Sequence, residues 1–246
     1  MIKIAKRIYI ILALLMTIYA AASAQSKWEY GAKLGGNYGI ISVHNVVASP
    51  TANNINPKGF GFHGGGYVLY KFTEKIGARA EGLVSYISTN VTNTTEISAF
   101  IVNNKTERND KTNYTYISVP LMANYGLGKH FSFQLGPQFS FMSSYKDNYD
   151  MTNTTTYTSF FFSQPPTTTK SSGTNSDMSV IHKWDIAAAG GAIYQMNMGL
   201  NFGVRYIRGL NSINSNTSSI AEKWNIIQVS IGYLIGGRGK VSASFN

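Results

Sequence analysis

In the stretch HFSFQLGPQFSFM, His130 to Met142, the odd positions carry Phe131, Phe133, Leu135, Pro137, Phe139 and Phe141. The even positions carry Ser132, Gln134, Gly136, Gln138 and Ser140. A period of two is the pleat of an extended strand, whose successive side chains point to opposite faces. A row of phenylalanines has to leave water, and either a protein core or hydrocarbon can receive it.

Seven further segments repeat the pattern. Trp28, Tyr30, Ala32 and Leu34 alternate with Glu29, Gly31, Lys33 and Gly35; Phe60, Phe62, Val68, Tyr70 and Phe72 with His63, Tyr67 and Lys71. Ile76, Ala78, Ala80, Val84 and Tyr86 oppose Arg79, Glu81 and Ser85, and Ile117, Val119, Leu121, Ala123 and Tyr125 oppose Tyr116, Ser118, Met122 and Asn124. Later come Trp184, Ile186, Ala188, Ala192 and Tyr194 against Asp185, Ala187 and Ala189, then Leu200, Phe202, Val204 and Tyr206 against Asn201 and Arg205. The last sets Ile227, Val229, Ile231, Tyr233 and Ile235 against Gln228 and Ser230. Each segment has the length of a tilted membrane strand, about 9 to 11 residues.

The second row identifies the solvent. In a soluble sandwich the row opposite the core is wet and rich in Lys, Glu and Asp. Here it is mostly Gly, Ser, Ala, Gln and Asn, and charged residues make up only 13% of the chain, against roughly 25% in an ordinary soluble domain. Small polar groups suit the crowded interior of a narrow barrel, which leaves the greasy row facing lipid. Aromatics near the segment ends (Trp28, Tyr70, Phe72, Tyr86, Trp184, Tyr194, Tyr206) fit interfacial girdles.

Connections alternate short and long. Thr73 to Lys75, Leu127 to His130 and Gln195 to Asn197 are tight, while Ile41 to Lys58, Val91 to Lys111, Ser144 to Met178 and Asn211 to Glu222 are long. The expected fold is therefore an all-β, eight-stranded antiparallel up-and-down transmembrane β-barrel with short periplasmic turns and long external loops. In the longest connection, Ser, Thr and Asn make up 18 of the 35 residues; so polar a segment is expected to be a solvated, mobile loop.

Lys3, Lys6 and Arg7, the apolar run Ile8 to Ala22 and the small residues Ala22-Ser23-Ala24 predict a signal peptide over residues 1–24, cleaved before Gln25. Residues 25–246 are then the barrel domain. No cysteine is present, which removes disulfides and thiol chemistry. Losing three cations lowers the net charge from +10 to +7. With no basic run, that surplus points to anionic lipid headgroups and not to nucleic acid.

The segments YGAKLGGNYG, GFHGGGYVLYKFTEKIGARAEGLVSY, NYTYISVPLMANYGLGKHFSFQLGPQFSFM, WDIAAAGGAIYQMNMGLNFGVRYIRGLNSI and IIQVSIGYLIG, taken in order, resemble the PorT-like outer-membrane β-barrel proteins. The resemblance implies an eight-stranded barrel in the outer membrane of a Gram-negative cell. The family's namesake is linked to protein secretion, but the domain recurs without an assigned activity, and a fold does not carry a role with it. The tail GGRGKVSASFN runs beyond the expected last strand, so Tyr233 and Phe245 are alternatives for the closing aromatic.

An arginine on the lipid face near mid-membrane costs about 2 to 4 kcal/mol, so Lys33, Arg79, Glu81, Asp185 and Arg205, all on the polar row, are expected to form an interior plug. Counting out from a turn at Gln195 to Asn197 sets Asp185 opposite Ile207 and within diagonal reach of Arg205. Arg208 alone continues the greasy row. It is expected near the outer leaflet, in contact with lipopolysaccharide phosphate unless the strand has frayed there. GFHGGG, within a strand, reads as close packing and not as a phosphate cradle.

No His, Glu and Asp spacing matches a zinc motif. The least poor hydrolase candidate is His182 with Asp185 and loop serines. The expected protein is a non-enzymatic barrel without cofactor whose external loops meet partners, such as other envelope proteins, or the environment. A small-solute channel, an accessory secretion factor and, last, a hydrolase are the alternatives.

Overall fold

The computed structural model describes residues 27–45, 56–99, 102–157, 164–179, 181–213 and 220–236. The expected signal peptide and Phe245 lie outside them. The strands are β1 (Trp28–Asn45), β2 (Lys58–Lys71), β3 (Ile76–Ala99), β4 (Val102–Leu127), β5 (Phe131–Tyr157), β6 (Thr167–Asn175), β7 (Trp184–Gln195), β8 (Leu200–Gly209) and β9 (Ile220–Gly236). Eight of them close a ring in the order β1-β2-β3-β4-β5-β7-β8-β9, every pair antiparallel, with β9 returning to β1. Tyr233 lies inside β9, opposite Ala32 and Leu200, and so belongs to the closing strand.

The alternation sets which face is which. Phe131, Phe133 and Leu135 point outward and are 53%, 51% and 70% exposed, while Gln134 and Gln138 in the opposite row are buried. The distribution is the reverse of a water-soluble core: an apolar outer surface encloses a polar centre. Aromatic pairs mark both rims of the apolar band: Trp28 with Tyr70 and Phe131 with Tyr194 at one, Phe62 with Tyr86 and Phe141 with Trp184 at the other.

Small inward residues make room for large ones. A Cβ on Gly39 would lie 2.8 Å from the Trp224 ring, and one on Gly31 would meet the Tyr67 ring at 2.6 Å. The short turns share one end of the barrel. At Phe72–Lys75, Thr73 Oγ1 accepts hydrogen bonds from the backbone N–H of Lys75 and Ile76. Gly128 and Gly199 adopt positive φ in the other two, a conformation open to glycine at little cost. The β7–β8 connection is Met196–Gly199, longer than the Gln195 to Asn197 expected from sequence.

At the opposite end the expected loops Val91 to Lys111 and Ser144 to Met178 are largely strand. The β3–β4 ladder continues from Asn90↔Lys111 to Ala99↔Val102, and β4 pairs β5 as far as Val102↔Tyr157. β6 then adds to β5 from Asp147↔Asn175 to Thr155↔Thr167. A four-stranded sheet thus rises about 30 Å beyond the neighbouring strand ends. Both of its faces are wet, so no apolar alternation announces it, while its threonines favour extended backbone. Where it leaves the barrel, Thr115 pairs Ser144 and Tyr116 pairs Met142, so Ser143 is the extra residue of a bulge that bends the strand.

Candidate functional site

The polar interior centres on Glu81, whose side chain has no solvent exposure. β3 and β8 stand on opposite sides of the eight-membered ring, yet the lumen is narrow enough for Arg205 to span it. Arg205 Nη1 donates to Glu81 Oε2 at 2.8 Å, and Nη2 donates to Oε1 at 2.7 Å and to Gln134 Oε1 at 2.9 Å. Lys33 Nζ donates to Glu81 Oε2 at 3.0 Å. Arg79 Nε lies 2.8 Å from Oε1 without aiming its N–H at it, and the guanidinium rests 3.6 Å over the Tyr67 ring. Three cations therefore share one carboxylate in a dry space, where an unpaired charge is costly.

Four of the five expected plug residues, Lys33, Arg79, Glu81 and Arg205, meet here; Asp185 does not. The ladder runs Ala187↔Gly209, Ala189↔Ile207 and Gly191↔Arg205, so Asp185 stands six residues above the position facing Arg205, about 20 Å along the strand. The ladder continues to Gln195↔Asn201, so the turn is centred two residues later than expected; this displaces the register by two residues on each strand, keeps every face correct and moves every height. Asp185 borders a separate cavity with Tyr116, Trp224 and Gln228.

That upper level holds a second stopper that sequence reasoning missed. Trp224 Nε1 donates to Tyr116 Oη at 2.9 Å, Tyr114 packs edge-on against the Trp224 ring, and Met142 is completely buried beside them. Trp224 shares the inward parity of Gln228 on β9, a signal available in the sequence; it was lost because the strand was expected to begin at Ile227. Between the two stoppers the cavity is about 20 Å³, room for about one water. His63, buried as expected, bonds Asn37 Oδ1 through Nδ1 at 2.7 Å.

His182 is exposed beyond the rim while Asp185 borders the lumen, and no hydrogen bond joins them among the described residues. Nor does any group of His, Asp and Glu there have the arrangement of a metal site. Arg208 is exposed on the outer surface, paired with Ala188 and Asn225, so the strand is not frayed at this point.

The sequence pattern of the outer membrane protein beta-barrel domain matches residues 22–215. The chain belongs to this outer membrane β-barrel family. The barrel's last strand, β9, follows the matched span and is fixed by its pairing to both β1 and β8. In the outer membrane the short turns face the periplasm and the projecting sheet faces outward.

No curated protein sequence matches this outer membrane barrel significantly. Among solved structures, Ail, the attachment invasion locus protein of Yersinia pestis, is 14% identical, with a TM-score of 0.36 over 85% of this chain and 99% of that one. Neisserial surface protein A is 7% identical, with 0.36 over 82% and 96%. The outer membrane protease OmpT from Escherichia coli is 8% identical, with 0.28 over 85% and 96%. Likenesses this distant say nothing about what the barrel does.

Proposed function

We propose that this barrel is a non-enzymatic surface protein, a closed membrane anchor that carries a contact sheet outside the cell. The observation that carries the reading is the unequal length of neighbouring strands. β3 has 24 residues, β4 26 and β5 27, whereas β2 has 14 and β8 10. A pore gains nothing from such an extension, while a sheet with two open faces gives a partner both side chains and strand edges. Among the described residues, β3 beyond Asn90 pairs only with β4, and β6 pairs only with β5. Such edges accept a further strand.

Within the family we read the chain as a PorT-like member, a reading supported by its ordered strand motifs from YGAKLGGNYG to IIQVSIGYLIG. An accessory part in secretion would use the same sheet with another envelope protein. A small-solute channel is disfavoured by a lumen closed at two levels, and a hydrolase by the separation of His182 from Asp185. The test shortens the β3–β4 hairpin by replacing residues 92–109 with an Asn-Gly turn, then compares surface capture of envelope and environmental proteins by intact cells. The shortened barrel is expected to assemble, shown by heat-dependent gel mobility, and to lose its captured partners. Capture unchanged by the deletion would refute the contact role.

A further inference from the structure

On the outside of the barrel, at the rim that faces away from the cell, β8, β9 and β1 form a groove of about 530 Å³. Its lower part is apolar, formed by Ile227, Tyr38 and the ring of Tyr206. A row of hydrogen bonds crosses the three strands above it: Tyr206 Oη donates to Asn225 Oδ1 at 2.8 Å, and Asn225 Nδ2 donates to Ser42 Oγ at 2.7 Å. The groove also holds Arg208 and Lys223: Arg208 stands directly opposite Asn225, and Lys223 lies two residues along β9 on the same face, so the two cations are diagonal neighbours.

Neither cation has a carboxylate partner among the described residues, unlike Lys33, Arg79 and Arg205 inside the barrel. Lys58, across from Ile40 on β2, adds a third positive charge at the same height. Two charges unbalanced on the lipid-facing wall need a counter-charge from the membrane itself. They stand where the apolar band ends, which is the level of outer-leaflet headgroups.

We propose that this groove seats a phosphate-bearing lipid of the outer leaflet, with the phosphate held between Arg208 and Lys223 and an acyl chain lying along Ile227 and Tyr38. Tyr206 and Asn225 meet the glycolipid's hydroxyl or amide groups beside the phosphate. The occupant is a lipid and not a free anion, because half of the groove is apolar and opens sideways into hydrocarbon.

Native mass spectrometry of the purified full chain in detergent, titrated with diphosphorylated lipid A and with its dephosphorylated form, tests the site. Arg208→Gln and Lys223→Gln are each expected to weaken binding of the phosphorylated lipid about fivefold. Lys170→Gln, the same charge change in the projecting sheet, leaves binding unchanged. The dephosphorylated lipid binds the original protein no better than it binds either variant. Equal retention of diphosphorylated lipid A by the original protein and both variants overturns the proposal, as does equal binding of the two lipid forms by the original protein. Both substitutions lie outside the hydrogen-bonded row, and heat-dependent mobility verifies that the barrel has formed.

Discussion

Arg205 on β8 holds both oxygens of Glu81 on β3 across the full width of the lumen, with contacts of 2.8 and 2.7 Å between residues 124 positions apart in sequence. The pair ties opposite walls of the barrel together, and Lys33 and Arg79 complete a cluster in which every cation depends on the same carboxylate.

Glu81→Gln therefore leaves three buried cations without a counter-charge. We expect a stability loss of about 3 to 5 kcal/mol, read from urea unfolding of the barrel in lipid vesicles. Arg205→Met, which leaves Glu81 with Lys33 and Arg79, is expected to lose less than Glu81→Gln. The reverse order would mean that Glu81 is not the hub.

Two stoppers in series predict a conductance pattern. In planar bilayers, Arg205→Met alone remains silent because Trp224, Tyr116 and Met142 still close the upper level, and Trp224→Ala alone remains silent because the Glu81 cluster closes the lower one. Only the double substitution is expected to pass current. Channel openings in a folded Arg205→Met protein would instead support a gated conduit.

The approach of Gly39 to Trp224 is a packing constraint made only of side chains on the Trp224 side. Gly39→Ala is expected to destabilise by about 1 to 3 kcal/mol through overpacking. In a Trp224→Leu background the same change is expected to cost clearly less. A double-mutant cycle with no coupling would show that the ring moves aside freely.

Leu135 projects from the middle of its strand's apolar row and is 70% exposed. Leu135→Arg is expected to cost about 2 to 4 kcal/mol in vesicle folding, because the charge meets hydrocarbon. Substitution at Ser143, beyond the rim, is expected to leave folding unaffected. Equal tolerance at the two sites would place Leu135 in water.

The sequence alone determined the face of each residue. A strand's pleat leaves only two directions, and the choice between lipid and lumen separates Phe131 from Gln134 or Val84 from Glu81 without knowledge of any neighbour. Closure into eight strands was also legible, since paired apolar rows and alternating connection lengths repeat along the chain. Heights were not. They depend on the stagger between strands and on where each turn is centred, so a turn at Met196–Gly199 in place of Gln195 to Asn197 removed Asp185 from the plug while preserving its parity.

Only the closed barrel decided which inward groups meet, because curvature brings β3 and β8 face to face although no local pattern links them. It also decided that Thr-rich and Asn-rich stretches such as Thr152 to Thr156 are strands: with water on both faces, their order comes from backbone pairing to neighbours and not from burial.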